Sequence, residues 1–125
     1  MKHSILRAVV ANVNLGNVYD PELDIGITLN VNGVLVSGII TSRKEFYNSN
    51  QNYVLKPLYD ALMEQMAADG EEFDETNLDN IGLIHLKDAF YMLDQNRIPY
   101  KGGMTVAVNI DDISSYNMGD LRTDK

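Results

Sequence analysis

The chain has 125 residues, with ten Lys and Arg against eighteen Asp and Glu, a formal net charge of −8. That length suits one domain with a real core, burying roughly two thirds of the surface its unfolded chain exposes, and the acidic balance excludes a broad electrostatic grip on nucleic-acid phosphates unless basic residues cluster locally. With no cysteine and two histidines, disulfides, thiolate metal sites and a thiol nucleophile are excluded and a His-rich metal site is disfavoured, while 45 % hydrophobic and 22 % charged residues make a globular composition.

The N-terminus is too broken for a signal peptide, because Arg7, Asn12 and Asn14 interrupt its apolar residues. A membrane span needs about 20 apolar residues, so a cytosolic setting without membrane contact is expected. Ile5, Val9 and Val13 fall at i, i+4 and i+8, which predicts a helix over 4–15 with Ser4 as its cap and Gly16 as its stop. Asp20-Pro21 marks 17–24 as a connector.

From Asp24 to Asn32, Ile25, Ile27, Leu29 and Val31 alternate with polar or small residues, placing four aliphatics on one face of a strand. Asn32-Gly33 supplies a hairpin turn, since both residues tolerate positive φ. The second strand, Val34 to Thr41, is apolar on both sides and is expected to be buried twice over or strongly bent. Gly38 marks the bend or a close approach.

Residues 42–52 read as a polar passage. A helix follows over 53–68, with Asn52 as candidate cap, Pro57 in its first turn, Gly70 at its end, and Leu55, Leu58, Tyr59, Leu62 and Met66 as its apolar stripe. Residues 69–80 form an acidic loop around one aromatic, Phe73. A strand begins at Ile81 and can run on to Leu93, a turn-rich stretch covers 94–103, and Met104, Val106, Val108 and Ile110 alternate in another strand. Asp111-Asp112 reads as a tight turn, Ile113 to Met118 as a last short strand, and 119–125 as a frayed tail. The expected core comprises Ile25, Ile27, Leu29, Val31, Val36, Ile40, Leu58, Leu62, Ile84, Leu86, Val106 and Val108.

The stretches Leu29-Asn30-Val31-Asn32-Gly33-Val34-Leu35-Val36-Ser37-Gly38 and Leu83-Ile84-His85-Leu86-Lys87-Asp88 together resemble the gas vesicle accessory protein GvpU family. The same residues are similar to the Sm/LSm fold, in which two bent strands surround a Gly-x4-Gly spacing, here Gly33 and Gly38, and a further strand is similar to Asn80–Ala89. The resemblances imply one domain over 1–125, mainly β with two helices. Its architecture is expected to be a small, strongly bent, five-stranded Sm-like barrel with an N-terminal helix over 4–15 and a helical and acidic insertion over 42–80. They imply a non-enzymatic accessory protein working through protein–protein contacts. An Sm-like RNA-binding protein is the alternative. Asn109-Ile110-Asp111-Asp112 is acidic where RNA-binding Sm proteins carry Arg-Gly, which argues against RNA. Unpaired strand edges in such a barrel predict pairing with further copies of the chain.

Each candidate for chemistry has a plainer reading. His85 can act as base or metal ligand, but its place opposite Ile84 and Leu86 favours a partly exposed strand histidine. Asp20, Glu22 and Asp24 have calcium-loop spacing, yet Gly26 is one place late and Val31 stands where the bidentate Glu belongs. Asp111 and Asp112 can pair as acid and base, but a turn explains them. Arg43 and Lys44 with Phe46 and Tyr47 form the one basic–aromatic cluster, able in principle to stack a nucleobase, although a structural loop is favoured. The stripe Leu55, Leu58, Leu62, Met66 is expected to face the core, or to form an interface where the small core cannot cover it. No phosphate loop, Ser-His-Asp set, metal site or cofactor is expected.

Overall fold

A computed structural model describes residues 2–16 and 24–121. The connector residues Asp20 and Glu22 lie outside the described residues, and so does the tail from 122 onward. The order is helix α1 (Ser4–Leu15), strands β1 (Gly26–Val31) and β2 (Val34–Thr41), helices α2 (Arg43–Asn48) and α3 (Lys56–Ala68), then strands β3 (Leu83–Leu93), β4 (Asn96–Ile98), β5 (Met104–Asn109) and β6 (Ser115–Met118). The fold is mixed α+β, with six antiparallel strands and three α-helices among the described residues, instead of the five strands and two helices expected. The additional strand, β4, forms because Asp94 takes a positive φ and turns the chain back to pair Tyr91, Met92 and Leu93 with Ile98, Arg97 and Asn96.

The sheet follows the path β6-β1-β2-β3, and β3 then pairs β5 along its first half and β4 along its second. It is open: β5 and β6 are joined by a 3₁₀ turn over Ile110–Asp112 and do not pair with each other. The strands therefore form an open, bent sheet that does not close into a barrel.

The hairpin turn is as expected. Val31 pairs with Val34 across Asn32 (φ 54°) and Gly33 (φ 90°), and Asn30 Oδ1 accepts the Gly33 N–H at 2.9 Å. The bend is also where Gly38 marks it. The β2–β3 register shifts between Ser37 and Ile39, the β3–β5 register shifts between Leu86 and Ala89, and Asp88 beside that shift has φ 50°. A Cβ on Gly38 would lie 2.8 Å from the Ala89 Cβ, so only glycine lets the two strands approach there.

One face of the bent sheet holds Ile27, Leu29, Val36, Ile40, Ile84, Leu86, Val106 and Val108 in a single cluster capped by Leu6, Val10 and Ala11 of α1. Ile25 and Val31 sit half-buried at its rim. The inward face of the helix is centred beside the stripe expected: Leu6, Arg7, Val10 and Ala11 face inward, Val9 and Val13 pack half-buried against the core, and Ile5 is 74 % exposed. Arg7 sets this rotation. Its guanidinium donates to the Ile81 carbonyl and pairs with Asp111 at 2.6 Å, and its Nε donates to the Lys2 carbonyl at 2.7 Å. The helix cap is His3, one residue earlier than Ser4, and Gly16 ends it at φ 69°.

The polar passage at 42–52 contains helix α2 and a 3₁₀ turn over Asn50–Asn52. Ser42 Oγ accepts the Glu45 N–H at 3.1 Å, so Ser42-Arg43-Lys44-Glu45 carries the Ser-x-x-Glu spacing of a capping box. Asn52 is not a cap for α3: it is buried and donates to the Phe46 carbonyl at 2.6 Å. Helix α3 starts at Lys56 and buries none of its residues. Leu58 and Leu62, expected in the core, are 70 % and 57 % exposed. The reason is that α3 leans on α2, through the Tyr47–Tyr59 ring stack at 4.1 Å, and stands off the sheet. At the other end, residues 119–121 are held rather than frayed. Thr28 Oγ1 donates to the Gly119 carbonyl at 2.9 Å and the Leu121 N–H donates to Ser37 Oγ at 2.7 Å, which accounts for two buried hydroxyls.

Candidate functional site

The insertion is assembled over one residue of β3. His85 points away from Ile84 and Leu86, as the alternation predicts, but α2 covers it and it is 3 % exposed, not partly exposed as expected. Phe46 lies 4.6 Å from its ring centroid and Tyr47 5.8 Å. Neither ring nitrogen has a hydrogen-bond partner. Burial, with the Arg43 guanidinium adding to it, pulls the His85 pKa down from 6.5 to about 4, so the ring is neutral near pH 7.

Beside His85 is a half-open cavity of about 130 Å³, walled by the end of α1 (Asn14), α2 (Arg43, Tyr47), the acidic loop (Phe73) and residues 80–83. Arg43 is its most connected wall. It pairs with Glu75, stacks over the Phe73 ring at 4.0 Å, and reaches the Tyr59 hydroxyl at 3.4 Å. Its backbone N–H donates to Asn14 Oδ1, and Asn14 Nδ2 donates to Glu75 Oε2. The acidic loop is thus pinned over the site by Phe73 and Glu75, not merely solvated.

Of the basic–aromatic cluster, Arg43, Phe46, Tyr47 and His85 converge here, whereas Lys44 is exposed and lines no part of the cavity. Phe46 is only 5 % exposed, so it offers no surface on which a base can stack. Asp111 is engaged by Arg7, and Asp111 and Asp112 lie in the 3₁₀ turn that stands where a tight turn was expected. Among the described residues no three acidic or histidine side chains gather as a metal site, and no helix is long and apolar enough to cross a membrane. The stripe residues Leu55, Leu58 and Leu62 share an exposed surface with Tyr53 and Val54, while Met66 is half-buried.

Sequence reasoning missed Asn14, Phe73, Glu75 and Gly82 as parts of one site. Phe73 carried the available signal: a lone aromatic among acidic residues is poorly suited to a solvated loop and reads better as an anchor.

The family model described as "Gas vesicle protein GvpU-like" matches residues 3–121. The chain belongs to this GvpU-like family. The matched span includes the insertion at 42–80 and the residues that line the cavity. No curated protein and no solved structure matches this GvpU-like chain.

Proposed function

We propose that this GvpU-like chain is a non-enzymatic, oligomeric gas vesicle accessory protein that acts through protein–protein contacts, its first partner being a second copy of itself. The supporting observation is that β5 and β6 are unmatched edge strands of the open sheet. β5 pairs only with β3 and β6 only with β1 among the described strands. Alternation along β5 turns Thr105, Ala107 and Asn109 outward, since Ile110 N–H bonds back toward Gly82. Gln51 covers the start of this edge, accepting the Thr105 N–H at 2.7 Å and donating to the Gly103 carbonyl at 3.1 Å. The edge groups of Ala107 and Asn109 stay uncovered by any strand, and joining them to the β6 edge of another copy continues the sheet.

An Sm-like reading of the bent sheet fits the helix-first order, the bend at Gly38 and the insertion after β2. Membership of the family supports the accessory role over catalysis. The RNA-binding alternative has little to stand on, with Phe46 and His85 buried and Asp111-Asp112 acidic. The exposed stripe Leu55, Leu58, Leu62 is the second surface offered to a protein partner.

Hydrogen exchange across a dilution series tests the edge reading. The expected result is that the Ala107 and Asn109 amides are protected at high protein concentration and lose that protection on dilution. Fast exchange of both amides at every concentration overturns it.

A further inference from the structure

We propose that the cavity beside His85 binds a small, uncharged aromatic or heteroaromatic compound of one ring that carries a hydrogen-bonding group. Four observations define that ligand. The first is size: about 130 Å³ compares with the roughly 150 Å³ apolar cavity known to hold benzene, so a single six-membered ring fills it. The second is charge. Among the described residues the one charged wall, Arg43, is already engaged by Glu75 and by the face of Phe73, so an anionic ligand would have to compete with Glu75 for it. The third is the character of the walls: Tyr47 and Phe73 are among the lining residues, and aromatic neighbours favour an aromatic guest.

The fourth is the unmet polarity of His85. A neutral imidazole offers one donor and one acceptor, and both nitrogens of this ring are buried without a partner. Leaving such groups unpaired costs stability, and other polar walls are not in that position: Asn14 uses both its oxygen and its nitrogen, and Asn80 Nδ2 donates to the Asp74 carbonyl. A ring with a hydroxyl, carbonyl or ring N–H supplies the missing partner, whereas a plain hydrocarbon ring does not. The cavity lies between the insertion and the start of β3, where Leu83 and His85 pair with Asn109 and Ala107 of β5.

The test uses the full chain, labelled with ¹⁵N, titrated separately with phenol, uracil, nicotinamide and benzene. Saturable shifts of the His85 ring nitrogens and of the Gly82 and Leu83 amides by at least one of the three polar rings are expected, with benzene at least tenfold weaker. His85→Leu removes both polar groups and is expected to abolish the preference over benzene. Gly82→Leu adds a side chain at the cavity wall, where a Cβ meets open space. It is expected to weaken binding at least tenfold while thermal melting shows the fold intact, and it decides the matter if His85→Leu does not fold. No saturable shift from any polar ring, which is the behaviour of a cavity filled by water alone, overturns the proposal. So does binding that benzene matches, or binding that Gly82→Leu leaves unchanged.

Discussion

His85 ties the fold of the chain to pH. Its pKa falls from 6.5 to about 4 on folding because burial, and after it the Arg43 charge, disfavours the imidazolium. The unfolded chain therefore takes up a proton below pH 6.5 that the folded chain refuses until about pH 4. Stability contributed by the neutral ring is complete above pH 6.5 and is lost as pH falls toward 4. Between about pH 8 and about pH 5 the loss is about 2 kcal/mol. Urea unfolding of the parent and of His85→Gln at both pH values checks this: the variant is expected to lack that component. Gly38 acts at the same scale. Gly38→Ala places a methyl 2.8 Å from the Ala89 Cβ and 3.1 Å from its Cα, with an expected cost of about 2 kcal/mol by overpacking, read as a lower urea midpoint. The glycine was legible in the sequence, because a lone Gly in an apolar strand has few other uses. The burial of His85 was not, because alternation reports which face a residue takes and says nothing of what lies over that face.

At the scale of elements, the strands were the more legible part. β1, the Asn32-Gly33 turn, β2 and β5 follow from period-2 alternation and turn chemistry, since burial on one face imposes that period directly. The helices were harder. Helix α1 was placed, but Ile5 was put on the wrong side, because the long-range bonds of Arg7 to Ile81 and Asp111 centre the buried face on Leu6 and Val10 and leave Val9 and Val13 at its rim. Helix α2 was hidden by its polar composition, although Ser42 and Glu45 carried its capping signal. The stripe of α3 was visible, but amphipathicity cannot say whether the covering surface belongs to the same molecule. Leu58→Ser and Leu62→Ser are expected to change the unfolding free energy of dilute protein by no more than about 0.5 kcal/mol, because both side chains are exposed. Leu29→Ala, at a fully buried position, is expected to cost about 3 kcal/mol. Chemical denaturation of the three variants distinguishes this arrangement from one in which α3 packs on the core.

For the whole molecule, charge placement matters more than its total. The acidic insertion holds down its own roof over His85 through Glu75, and Asp111 anchors α1 through Arg7, so part of the negative charge is structural. The candidate site was only partly legible: Arg43, Phe46, Tyr47 and His85 stand out as the basic–aromatic cluster with its histidine, but Asn14 and Phe73 reach them from remote parts of the chain. What remains outward-facing is the open sheet with its β5 and β6 edges and the bare face of α3. An accessory protein that works by contact needs such surfaces, and an isolated monomer would leave them exposed to uncontrolled pairing. Multi-angle light scattering of the purified chain at micromolar concentration tests this most directly. The account predicts a mass at a whole multiple, two or more, of the 14.0 kDa chain, reduced by Ala107→Lys at the β5 edge; a mass of one chain at every concentration contradicts it.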